Sequence, residues 1–276
     1  MTIAIIAEGG LGNQLFQIAA AKSLAKIHNT FFQVEIYKLG GNRSLQAHHF
    51  FNPSLFCYGV YLGVPQFYEE GYRFDENFYN ISDNVTLKGY FQSWKYIENV
   101  KDDMRESLLQ YKLQLSQNAE SFLKTIESNW DRSLAIHIRR GDYCDSIHRE
   151  HHGILPKSYY LEALSRIEQR DLAIFVFIEN ISELPNWIYE FDSRVTVIQG
   201  VSDAESFHLM SECKYVIAAN SSFSWWAGYV SNRGELSGRV FVPKNYFKTS
   251  KVDTSDLHPL WFDQIDNEWD PLITEG

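Results

Sequence analysis

Residues 137–143 read HIRRGDY, two adjacent arginines closing an apolar run, SLAIHI. A guanidinium stays charged at any working pH and presents a planar fork that matches phosphate oxygens two at a time. Arg139 and Arg140 at a strand end therefore suit a diphosphate. The plainer alternative is a surface arginine pair in salt bridges with Asp142 and nearby acids, and on the pattern alone both stand. His137 adds little by itself, because a lone histidine commonly serves structure. Asp142 reads as a residue that orients an arginine rather than as a base. A second cluster, N220-S-S-F-S-W-W, places small hydroxyl residues between a strand and a helix, so that free backbone N–H groups at a helix N-terminus can meet an anion. For Ser221 and Ser222, capping and phosphate binding are compatible; Trp225 and Trp226 read as core. A third, G9-G-L-G-N-Q-L, lacks the third glycine of a dinucleotide fingerprint, which is Leu15 here. Gly10 and Gly12 offer close backbone approach to a ligand, with Asn13 able to bond a sugar or phosphate oxygen, or else they only build a tight turn.

Other chemistries are not represented. HREHH at 148–152 brings His148, His151 and His152 together without a metal-site spacing and reads as a solvated loop, and no P-loop, GxSxG or nucleophilic-cysteine context occurs. No metal is expected. The net charge is −10 with lysines and arginines dispersed, which argues against nucleic acid as the main partner. Three scattered cysteines make no disulfide framework, and the N-terminus reads as neither signal peptide nor anchor, so a cytoplasmic protein without an integral membrane segment is expected.

The elements that must position these residues follow from periodicity. Of 276 residues, 45% are hydrophobic, enough for two domains of about 100–150 residues each. TIAIIA, the glycine loop and QLFQIAAAKSLAKIH read as strand, loop and helix, followed by the strand FFQVEI; residues 38–84 show no clean period and are expected to be irregular. VTLKGYFQS reads as a strand, and 94–112 and 117–128 as helices. From 133 onward SLAIHI, AIFVFI, RVTVI, KYVIAA and GRVFVP alternate with helical segments near 157–169, 185–191, 203–212 and 222–230, the pattern of a parallel sheet. Ligands sit beyond the carboxyl ends of such strands, where both HIRRGD and NSSFSWW fall. The expected boundaries are 1–131, 132–250 and a tail, 251–276, packing across the domains.

Taken together, GGLGNQLFQIAA (9–20), KGYFQSWKY (88–96), HIRRGDY (137–143), HGILPKSYY (152–160), ECKYVIAANSSFSWWAG (212–228) and VPKNYF (242–247) make the chain resemble the bacterial α1,2-fucosyltransferases nearly end to end. The resemblance implies a GT-B-type α/β fold, two Rossmann-like domains with a cleft between them, the N-terminal one on the acceptor side. It also implies a GDP-fucose donor, a galactose-terminated glycan acceptor, inversion, no cofactor or metal, and peripheral association with a lipid-linked acceptor during O-antigen or capsule synthesis. By position, Arg139 would hold the β-phosphate, His137 and Arg140 would line the donor site, Asn220, Ser221, Ser222 and Phe223 would form the phosphate pocket, and Asn13 would reach in from the other domain. Two positions depart from the family. Ile178-Glu179-Asn180 stands where Ser-Asp-Asp is usual, and Ser206 where an acid is usual, both on the nucleotide side. Glu205 fits a capping box with Ser202, which would occupy its carboxylate, leaving Asp203 and Glu179 as acceptors for guanine. A different nucleotide sugar, or a non-catalytic nucleotide- or glycan-binding relative, are the alternatives.

Overall fold

The computed structural model describes residues 2–36, 44–59, 64–110, 114–144, 146–191, 194–231 and 238–270. The chain divides into two units, residues 1–113 with 252–259, and residues 114–251 with 260–276.

In the first unit β1 (Thr2–Ile6), β2 (Phe31–Ile36), β3 (Phe56–Tyr58), β4 (Gln66–Tyr68) and β5 (Val85–Lys88) form a parallel sheet in the order β3-β2-β1-β5-β4. Helix α1 (Leu11–His28) joins β1 to β2 and is buried over most of its circumference, which explains its run of Ile, Ala and Leu. It ends at Asn29 in the left-handed region, with Lys26 and His28 in its last turn beside the free carbonyls. Two short strands, β3 and β4, thus lie in the stretch expected to be irregular. The strand expected over VTLKGYFQS stops at Lys88, because Gly89 and Phe91 take φ values of +151° and +53°. The long helix expected over 94–112 is two short 3-10 turns followed by α2 (Lys101–Gln110).

In the second unit β6 (Ser133–Ile138), β7 (Ala173–Ile178), β8 (Val195–Ile198), β9 (Tyr215–Ile217), β10 (Val240–Pro243) and β11 (Asp263–Ile265) form a second parallel sheet, ordered β11-β10-β9-β6-β7-β8. β6 is buried at every residue, as a central parallel strand covered on both faces must be. The helices are α3 (Gln117–Ser128), α4 (Ser146–His152), α5 (Lys157–Ser165), α6 (Asp203–Ser211) and α7 (Ser222–Ser231). The segment near 185–191 is a 3-10 turn, and α5 stops short of 169. Trp225 and Trp226 are core, and Gly228 is what lets α7 approach β10, since a Cβ there would meet Val240 Cγ1 at 2.6 Å.

The boundary falls at 113/114 rather than at 131: α3 packs against α6, Asn118 donates to the Gln199 and Gly200 carbonyls at 2.9 and 3.1 Å, and one carboxylate adds a further tie. Glu205 accepts from the Ser202 N–H at 2.7 Å and the Ser202 hydroxyl at 2.9 Å, closing the capping box of α6, and from the Ser116 N–H at 2.6 Å. It thereby fastens the start of α3 to α6. The residues after 251 divide: 252–259 belong to the first unit and 260–276 to the second, where β11 pairs with β10. Asp256 receives Lys95 at 2.7 Å, its carbonyl accepts from the Ser93 hydroxyl at 2.9 Å and the Trp94 N–H at 3.2 Å, and Leu257 is fully buried.

Candidate active site

β6 and β9 are neighbours in the second sheet, so the residues leaving their carboxyl ends, 139–143 and 218–223, are brought side by side. Their connection is specific. Tyr143 donates its hydroxyl to the Asn220 carbonyl at 3.2 Å, and the Asn220 amide, buried, donates to the carbonyls of His152, Gly153 and Tyr246 at 2.9, 3.4 and 3.3 Å. Residues from HIRRGDY, HGILPKSYY, ANSSFSWW and VPKNYF therefore meet at one residue, Asn220. Asn220, expected to line the phosphate pocket, spends its amide N–H groups on this backbone junction and so positions the site. Tyr159 and Tyr160 act alike: Tyr159 donates to the Ala218 carbonyl at 2.6 Å and Tyr160 to the His137 carbonyl at 3.2 Å. Burial pushes the ionisation of both phenols upward, so both remain donors.

Arg139 stacks its guanidinium on the Tyr143 ring at 4.7 Å, and that ring stacks on His152 at 4.3 Å, nearly parallel. It also forms an ion pair with Glu179. The plainer reading of the pair, an arginine held by a nearby acid, is thus realised for Arg139, but not on the surface, since its side chain is only 13% exposed. Glu179, expected as an acceptor for guanine, is in this structure engaged by arginine. The loop then turns through Gly141 at φ +53°, whose N–H donates to Glu183 at 2.6 Å. Arg140 is half-buried, and its buried Nε has no hydrogen-bond partner among the described residues. Asp142 lies in the turn Gly141–Cys144, its side chain outside the described set.

His137 is buried against Phe223, ring centroids 5.8 Å apart, and Phe223 in turn meets Phe207 of α6 edge-on at 5.7 Å. Burial, aided by the Arg139 charge, pushes the imidazole down to about 3. The ring is neutral at working pH, which removes it as a general acid and leaves hydrogen bonding, with no partner for Nδ1 among the described residues. Ser221 and Ser222 are half-buried at the N-terminus of α7, where Ser222 opens the helix. On α6, Asp203 is exposed and Ser206 half-buried, one residue before Phe207.

In the first unit Gly10 sits at the N-cap of α1, and a Cβ there would meet none of the described residues within 4 Å, leaving room among them for an approaching group. Gly12, by contrast, lies buried inside the first turn of α1 and is not a loop residue. Asn13 accepts from Gln92 at 2.7 Å. The glutamines of GNQLFQ are structural: buried Gln14 binds the Gly9 and Ser44 carbonyls and the N–H groups of Gln46 and Ala47, and buried Gln17 bridges the Glu8 N–H and the Gly89 carbonyl. HREHH is not a loop but part of α4, placing His148 and His152 four residues apart with rings stacked at 6.4 Å. Among the described residues no group of three or more His, Cys, Asp or Glu is placed to hold a metal ion, and no helix is long and apolar enough to cross a membrane. Sequence reasoning missed Glu183, Tyr143 and the Tyr159–Tyr160 pair; the two tyrosine sites lay within quoted motifs, whereas Glu183 left no signal.

The model of glycosyl transferase family 11 matches residues 64–261, well over half the chain. An α1,2-colitosyltransferase of Escherichia coli is 26% identical, over 91% of this chain and 94% of its own. The O-antigen biosynthesis glycosyltransferase WbnK of Escherichia coli is 28% identical over 87% and 93%. A galactoside α-(1,2)-fucosyltransferase 1 of Alouatta belzebul is 25% identical over 64% of this chain, which spans about half of that protein's length.

Proposed function

The chain belongs to glycosyl transferase family 11, and from that premise we propose that it transfers L-fucose from GDP-β-L-fucose to a galactoside hydroxyl. The transfer inverts the anomeric centre and yields an α1,2-fucosyl linkage in a bacterial surface polysaccharide. The observation that carries this reading is the gathering of Arg139, Arg140 and the N-terminus of α7 at the carboxyl ends of two adjacent strands. The relative named for O-antigen biosynthesis supports the polysaccharide role, and the primate relative supports fucose and galactoside.

In this reaction the bond between the sugar C1 and the β-phosphate oxygen breaks while an acceptor hydroxyl attacks the opposite face. Negative charge accumulates on the β-phosphate, and a fixed Arg139 with helix N–H donors favours the transition state over the ground state. His137, neutral, contributes a hydrogen bond. No metal or cofactor is assigned a role.

A second reading keeps the site and changes the sugar, because a colitosyltransferase matches nearly end to end. Purified protein supplied with a panel of nucleotide sugars, GDP-fucose and a colitosyl donor among them, and galactose-terminated acceptors decides between them. Preferred transfer from GDP-fucose, with the new linkage read by NMR, supports the first reading. Preference for another donor selects the second, and neither transfer nor donor hydrolysis makes the protein a binding relative.

A further inference from the structure

Parallel pairing sets Ile138 beside Ile178, so the residues leaving β6 and β7, Arg139 and Glu179, are neighbours by register alone. Their side chains form the ion pair described above. Glu183, four residues on, takes the Gly141 N–H at 2.6 Å. Both carboxylates come from the segment that follows β7, and both occupy donors of the arginine loop. The two sides of the ion pair differ in how they are held. Arg139 is clamped on Tyr143 and 13% exposed, while Glu179 is 56% exposed. Carboxylate and phosphate oxygens make the same demand on a guanidinium fork and compete for it.

We propose that Glu179 is an internal occupant of the phosphate subsite, holding Arg139 until a diphosphate takes its place, with Glu183 doing the same at the Gly141 amide. Binding is then an exchange of carboxylate for phosphate. The energy of the pair is subtracted from the affinity for donor and for nucleoside diphosphate product alike, so the returning carboxylate assists product release. This rests on the proposed role of Arg139 in binding a diphosphate, not on the identity of the base or the sugar.

The test is calorimetric titration of wild type, Glu179→Gln and Glu183→Gln with inorganic pyrophosphate, GDP and ADP, with melting curves to establish that each variant is folded. Glu179→Gln is expected to bind pyrophosphate and GDP about 2–5-fold more tightly, the worth of a partly exposed ion pair, and Glu183→Gln to move the same way by less. Pyrophosphate binding that is unchanged or weakened in Glu179→Gln overturns the proposal; weakening means that Glu179 instead orients Arg139. Weaker GDP with unchanged pyrophosphate also overturns it and returns Glu179 to the guanine. Tighter pyrophosphate in a protein that does not prefer GDP to ADP and transfers no fucose keeps this inference while the functional reading fails.

Discussion

Replacing Glu205 by glutamine is expected to cost about 2 kcal/mol at pH 7 and to remove part of the protein's acid sensitivity. Burial, at 7% exposure, pushes the carboxyl up, but the hydrogen bonds from Ser202 and Ser116 outweigh it and hold the group down at about 2 against an ordinary 4.5. At roughly 1.4 kcal/mol per pH unit, the gap between 4.5 and about 2 sets a ceiling of roughly 3.4 kcal/mol. Access of water to a helix N-cap lowers this to about 2 kcal/mol, in line with the cost of leaving one buried N–H unpaired. Glutamine has one acceptor oxygen, so it cannot serve both Ser202 and Ser116. The folded value lies below the unfolded one, so the stabilisation is complete above pH 4.5 and drains away as pH falls toward 2. Urea unfolding followed by tryptophan fluorescence reads mainly the second unit, which holds six of the seven tryptophans. With a slope of about 3 kcal/mol/M, the midpoint should fall by roughly 0.7 M at pH 7. The gap between variant and wild type should narrow at pH 3. A difference at pH 3 as large as at pH 7 would refute the linkage argument, and none at pH 7 would refute the clamp.

Arg139→Ala should keep its fold and lose about 10²–10³ in turnover, with Arg139→Lys recovering little because a point charge does not reproduce the fork; near wild-type rates in either assay remove the assigned role. Glu69 is pushed up to about 7 by burial, against hydrogen bonds from the Phe91 and Tyr90 N–H groups, so its charge costs stability progressively from pH 4.5 to 7 and fully above that. Glu69→Gln should accordingly stabilise the first unit by about 1–3 kcal/mol at pH 8 and by nothing at pH 4.5 in paired thermal melts. Ser206→Asp should tighten GDP by up to about 1–3 kcal/mol while ADP gains nothing, and an unchanged GDP titration would mean that residue 206 does not face the base. Transfer should survive EDTA; complete loss restored by a single divalent ion contradicts metal independence.

The alternation of strand and helix patterns made the second sheet readable: AIFVFI is apolar throughout, and SLAIHI nearly so, because both faces are covered. The capping box at Ser202–Glu205 was readable because its spacing is itself the geometry. Strands β3, β4 and β11 span three residues each, too few to show a period, and α4 spans seven with a single apolar residue, Ile147. At the site, residue types announced Arg139 and Ser221, but the Arg139–Glu179 pair depends on register between strands 40 residues apart, which no local pattern encodes. Asn220 was seen as a polar residue beside a ligand site; its three backbone acceptors come from residues 152, 153 and 246 and exist only in the folded chain.

The return of residues 252–259 to the first unit bears on how the protein is made. At about 5–20 residues per second, a ribosome reaches residue 259 roughly 7–30 s after residue 113. Throughout that interval the first unit lacks Asp256, the acceptor for Lys95, Ser93 and Trp94, and the buried Leu257. Nearly all of the second unit is synthesised in the meantime. The first unit is therefore sealed by a segment translated only after most of the second, and a nascent chain arrested before residue 252 presents an unfinished apolar socket to the chaperones around it.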